Sequence, residues 1–140
     1  MNRRRRTEIL IQGRSELAKE LAETIMLQYP YREVISPRYG LTMIKMRETA
    51  KSSLFYLGEV VITEAKVDIK GHIGIGIVTG MKDELAKHLA IIDAAYKANL
   101  KETIEWEEPL LKEEKALLES KIKKQTELLA TKVHFDTMQV

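Results

Sequence analysis

The sequence predicts an α+β fold: an antiparallel β-meander of about four strands packed with N-terminal helices, a central helix and a long C-terminal helix. Three observations carry this. Apolar residues recur at helical spacing near both ends of the chain and over 82–97. Hydrophobicity alternates with period two between 32 and 79. The strand candidates are joined by segments too short for parallel crossovers. With 140 residues, 44% hydrophobic and 31% charged, the chain has the balance of one folded domain. A chain of this length buries roughly 68% of its unfolded surface, enough for a core. Residues 1–140 therefore read as a single domain, with 108–140 as a helical arm and tail.

The elements follow in order. Residues 7–12 read as a short helix ended by Gly13, a residue suited to a left-handed cap. Ser15 caps a second helix whose Leu17, Leu21, Ile25 and Met26 form one stripe, and Pro30 stops it. Residues 32–36 are β-rich, Pro37-Arg38-Tyr39-Gly40 reads as a turn, and 41–47 as a second strand. The longest strand begins at Leu54. Its Thr63, Ala65, Val67 and Ile69 face one way, and Glu64, Lys66, Asp68 and Lys70 the other. Lys70-Gly71 is a tight turn into a strand over 72–79, where Ile73, Ile75 and Ile77 share one face and Gly74, Gly76 and Val78 the other. In the helix at 82–97, Leu85, Leu89, Ile92 and Tyr96 form a stripe broadened by alanines that let it lie close to the sheet. The last helix spans about 108–131, with Pro109 in a tolerated first-turn position. Residues 102–114 hold six Glu and one Lys, and residues 115–124 four Lys and one Glu, which matches the helix dipole. Its apolar stripe is thin: Leu111, Leu118, Ile122 and Leu129.

Composition excludes several functions. There is no Cys, so the chain holds no disulfide, thiol nucleophile, Cys-ligated zinc or iron–sulfur cluster. That fits a reducing compartment. No apolar run approaches the ~18 residues of a membrane span, and Glu8, Gln12 and Arg14 interrupt any apolar signal core behind the basic start. The expectation is a cytoplasmic protein with no membrane partner. The net charge is +2, and Arg3-Arg4-Arg5-Arg6 supplies it; the rest is slightly acidic. Four arginines without interleaved aromatics or a basic body are a weak nucleic-acid signature, so no nucleic-acid partner is expected. They read as a solvated helix start or a tail for an acidic partner.

Two constellations could carry chemistry. Gly74 to Gly80 precedes a helix, and Thr79-Gly80 could cradle a phosphate at its N-terminus. The spacing is neither that of a dinucleotide fingerprint nor of a P-loop, and a glycine ridge admitting a close backbone explains Gly74 and Gly76 better. His72, His88 and His134 lack metal-site spacing. His134 and Asp136 would face the same way on a strand, as a catalytic or, more simply, a structural or interfacial pair. The tail Val133-His134-Phe135-Asp136-Thr137-Met138 is apolar enough to bind a partner, or to pair as a strand with this chain's own sheet.

Four segments in register resemble one family. Leu57-Gly58-Glu59 with Thr63 and Val67 resembles the "LGE-x-x-x-T-x-x-x-V" strand of PhnG, the G subunit of the carbon–phosphorus lyase core complex. Pro37, Gly40 and Leu41 resemble its Pro-x-x-Gly-Leu segment, and Ala90-Ile91-Ile92-Asp93-Ala94 its "A-x-x-D-A" helix. Ala130-Thr131-Lys132-Val133-His134-Phe135-Asp136-Thr137-Met138 resembles its closing "A-[TS]-[RK]-V-x-F-x-T-M" signature. Gly80-Met81-Lys82 departs from the family's Gly-Arg-Asp.

The resemblance implies phosphonate utilisation beside sister subunits H, I, J and, transiently, L, in a hetero-oligomer. The assembly displaces adenine from ATP by a phosphonate, and subunit J then cleaves the carbon–phosphorus bond with an iron–sulfur cluster and S-adenosylmethionine. On this view the chain is a non-catalytic subunit binding no cofactor or metal itself. The alternative is a free-standing small-molecule-binding, phosphate-binding or hydrolytic α+β protein that uses the Thr79-Gly80 turn.

Overall fold

The computed structural model describes residues 1–47 and 54–138, with side-chain surroundings over 1–43 and 58–131. The elements are α1 (Arg3–Gln12), α2 (Ser15–Gln28), β1 (Arg32–Arg47), β2 (Leu54–Ile69), β3 (His72–Thr79), α3 (Asp83–Lys97), the one-turn α4 (Glu102–Glu105) and α5 (Glu107–Met138). The sheet is antiparallel in the order β1-β2-β3.

There are three described strands rather than four because Pro37-Arg38-Tyr39-Gly40 is not a turn. β1 runs through it, with Arg38 opposite Glu64 and Gly40 opposite Ile62. The ladder slips by one residue between Glu33 and Ile35 and again between Ile35 and Arg38. An edge strand absorbs a proline at such bulges, because the missing N–H costs no ladder bond there. At the other end of β2, Lys70 (φ 52°) and Gly71 (φ 82°) make the expected tight turn, and Asp68 accepts a bond from the Gly71 N–H at 2.9 Å.

The alternation along β2 and β3 decides which face is covered. Thr63, Ala65, Val67, Ile69 and Val78 are buried against α3, whose Leu89, Ala90, Ile91 and Ile92 are buried in turn. Ile73 and Ile77 stay exposed on the opposite face. Gly74 and Gly76 are the closest approach. A Cβ on Gly74 would lie 2.1 Å from the Ala90 carbonyl oxygen, and one on Gly76 2.1 Å from that of Ala86. The glycine ridge is thus a seat for α3, and the alanines facing it are the matching small residues. α2 contributes its predicted stripe: Leu17, Leu21 and Ile25 are buried and Met26 is half-buried.

Two ends of the chain differ from expectation. α1 begins at Arg3, not Thr7, because Asn2 caps it by accepting from the Arg5 N–H at 2.8 Å. Gly13 ends α1 with φ −80°, so no left-handed cap forms; what it supplies is space, since a Cβ would meet the Ile9 carbonyl oxygen at 2.7 Å and Glu113 Cγ at 2.8 Å. At the C-terminus the strand-like tail is replaced by helix, for α5 continues to Met138. No Gly or Pro follows Pro109 in α5 to stop it, and β-branched residues weaken a helix only slightly.

Two elements run past the core. β3 covers only Ile62–Ile69 of β2, so 54–61 pairs with 41–47 as a two-stranded ribbon bearing exposed Tyr39, Leu41 and Met43 at its base. α5 is anchored by buried Leu110 and by Glu113 and Glu114, which bind Arg14 and Arg5. Residues 119–131 are all exposed.

The seating of α3 is open to measurement. Leu89→Ala is expected to lower the unfolding free energy by about 2–5 kcal/mol, and Gly76→Ala by about 1–3 kcal/mol or more through overpacking. Urea unfolding with either loss below about 1 kcal/mol would contradict this packing.

Candidate functional site

An aspartate in the most apolar part of α3 organises the charged groups of the body. Asp93 is 4% exposed and sits among Ile91, Ile92, Ala94 and Ala95, all buried. A buried carboxylate is costly unless paired and hydrogen-bonded. Here Arg6 reaches it at 3.2 Å, Arg3 at 3.1 Å and Lys97 at 3.3 Å. The Ile75 N–H donates at 2.9 Å to the carboxylate oxygen that Lys97 approaches, while both arginines meet the other. One side chain therefore joins α1, β3 and α3. Arg6 also lies 3.8 Å over the Tyr96 ring, and Tyr96 meets Trp106 edge-on with centroids 5.6 Å apart. Burial pushes the Arg6 guanidinium below its ordinary range, against the pull of Tyr96 and Asp93.

The four N-terminal arginines thus have separate tasks and are not a uniform solvated run. Arg3 and Arg6 serve Asp93, and Arg5 makes a two-pronged pair with Glu114 of α5. Arg4 makes no ion pair among the described residues. Sequence reasoning missed Asp93 as a site residue. The available signal was a lone acid inside an apolar helical stripe, in a chain with a cationic run to answer it.

Thr79 is exposed at the end of β3, and Gly80 has φ +96°. Two amides around this turn serve the fold. The Gly80 N–H donates to the Val61 carbonyl at 2.8 Å, and the Lys82 N–H to Thr63 Oγ1 at 3.0 Å. The Thr63 hydroxyl in turn donates to the Gly80 carbonyl. Thr63, buried and polar, is the clasp of the β3–α3 connection.

The histidines stand apart. His72 is exposed at the start of β3, and His88 is half-buried on α3. His134 and Asp136 belong to α5, where positions two apart lie about 200° apart round the axis; the shared face of a strand does not arise. Val133, Phe135, Thr137 and Met138 continue the same helix. Among the described residues no group of three His, Asp or Glu could hold a metal ion, and no helix is long and apolar enough to cross a membrane.

Fold and surface define a small α+β body from which a β-ribbon and a helix extend, with exposed apolar side chains on both. The family described as phosphonate metabolism protein PhnG matches residues 1–139, and the chain belongs to that family. Its role accordingly lies in phosphonate metabolism. No curated protein matches the chain.

Two predictions follow from this geometry. Asp93→Ala leaves Arg6 buried and unpaired and should cost about 3–5 kcal/mol in chemical denaturation; a loss under about 1 kcal/mol would show that the cluster is not structural. Burial pushes the His88 pKa below its ordinary 6.5, outweighing the raising effect of Glu84 and Glu23; Lys87 and Lys19 lower it further. The unfolded chain then takes the proton first, so His88 contributes a loss of stability as the pH falls through 6.5. His88→Gln should flatten the stability profile between about pH 7.5 and about 5.5; an unchanged slope would assign that loss to other groups.

Proposed function

We propose that the chain is a non-catalytic, accessory subunit of the carbon–phosphorus lyase core complex, acting with sister subunits H, I and J, and transiently L. In this role it supports transfer of a phosphonate onto the ribose C1 of ATP with release of adenine, ahead of carbon–phosphorus bond cleavage. ATP, and the iron–sulfur cluster and S-adenosylmethionine of the later step, belong to the sister subunits on this reading. The observation that carries it is the pair of projecting elements in a PhnG-family chain. Beyond its anchor, α5 exposes Leu118, Ile122, Leu128 and Leu129 among lysines. An isolated two-stranded ribbon is marginal in water, and a lone amphipathic helix gains most of its stability from packing. Both elements have the character of surfaces completed by partners. The Val133–Met138 segment continues the same helix.

The purified chain alone should release no adenine from ATP plus methylphosphonate, and adding it to the other subunits should restore release. Adenine release by the chain alone at the complex's rate would overturn the reading. Deletion of 133–140 should leave the isolated chain's melting temperature almost unchanged and abolish co-purification with the sister subunits. If instead the deletion unfolds the chain, the segment belongs to its own fold.

A further inference from the structure

We propose that the groove between α1 and the outer edge of β3 receives an extended acidic segment of a sister subunit, which adds to the sheet at Ile77 and sets a carboxylate against Arg4. The proposal rests on the reading of the chain as a subunit and names a second contact, independent of the two arms.

In β3 the groups of Gly74, Gly76 and Val78 face β2, and those of Ile73, Ile75 and Ile77 face outward, as the bond from the Ile75 N–H to Asp93 requires. An open sheet edge invites another strand, and proteins blunt such edges with charged side chains. Here the first half is blunted. Lys97 Nζ donates to the Ile73 carbonyl at 2.8 Å, Asp93 accepts from the Ile75 N–H at 2.9 Å, and Arg3 approaches the Ile75 carbonyl at 3.5 Å. At Ile77 no side chain among the described residues gives such cover. The edge is closed up to Ile75 and open at Ile77.

The open stretch faces a cavity of about 670 Å³. One wall is α1, with Arg4, Thr7 and Ile11; the floor is Ile77 and Gly76, with Leu89 of α3 behind. Ile77 is 48% exposed, which is apolar surface beside an unpaired strand edge. A chain segment that forms main-chain bonds at the edge and places alternate side chains in the groove suits both features.

Charge selects the occupant. Asp93 is one carboxylate facing three cations, Arg3, Arg6 and Lys97, so the blunted end of the edge carries excess positive charge. Arg4 adds another on the groove wall without an ion-pair partner among the described residues. The one acid lining the groove, Glu8, accepts a bond from Gln12 at 3.4 Å. A carboxylate on the incoming segment is the complementary group.

The test compares amide exchange of the full-length chain alone and in complex with the sister subunits, read by mass spectrometry over 76–79. Ile77 should exchange at least about tenfold more slowly in the complex. Arg4→Glu should slow association about tenfold at low salt, and less at high salt. An acid near a helix N-terminus is favourable, so the variant's melting temperature should not fall. A complex that assembles while Ile77 exchanges at its free rate overturns the groove proposal and leaves the subunit reading standing. Failure of the wild-type chain to assemble overturns both. Equal protection of Ile77 by inorganic phosphate without any subunit would overturn the peptide occupant and make the groove an anion site.

Discussion

A single buried carboxylate, Asp93, is the constraint on which the arrangement of the body depends. Removing a charge from water costs several kcal/mol even after relaxation, so Asp93 is tolerable only with its partners in place. Those partners come from three elements: Arg3 and Arg6 from α1, Lys97 from α3 itself, and the Ile75 amide from β3. α1 is otherwise poor in apolar side chains, with Ile9 and Leu10 as its buried aliphatics. The ion cluster fixes its position, and Arg6 stacked on Tyr96 continues that contact towards Trp106 and the start of α5. The same cluster covers the first half of the β3 edge and so defines where the edge opens.

A second constraint is steric. α3 lies so close to β3 that no side chain fits at Gly74 or Gly76. That proximity brings Asp93 within reach of a strand amide, and the two constraints reinforce each other. Thr63 then ties the β3–α3 connection through the Gly80 carbonyl and the Lys82 amide. Gly74 and Gly76 form the close-packed ridge that the sequence suggests, and the Gly80 amide is bonded to the Val61 carbonyl.

Much of this was legible from pattern. The period-two faces of β2 and β3, the Lys70-Gly71 turn, the stripes of α2 and α3 and the close approach at the glycines follow from local rules. What escaped was set by tertiary context. Pro37 and Gly40 carry turn chemistry, yet a paired strand with bulges holds them because β2 offers Glu64 and Ile62 as partners. The arginine run has no helical period to read, and its helix exists because Asn2 caps it and Asp93 and Glu114 receive its side chains. The tail mixes β-branched and aromatic residues that suggest a strand, but nothing in 110–138 interrupts the helix already under way. Family motifs located the chain in phosphonate metabolism; the charged hub at Asp93 inside the "A-x-x-D-A" helix arises only when α1 and β3 are folded against α3.

The account stands or falls on Asp93 and Arg6 acting as a pair that clamps α1 to the sheet. A double-mutant cycle with Asp93→Ala, Arg6→Ala and both, followed by urea unfolding, measures this directly. The account predicts a coupling of about 1–3 kcal/mol, the double variant being more stable than the sum of the single losses implies. Additive losses, with coupling below about 0.5 kcal/mol, would contradict it and leave α1 held by its apolar contacts and the Arg5–Glu114 pair.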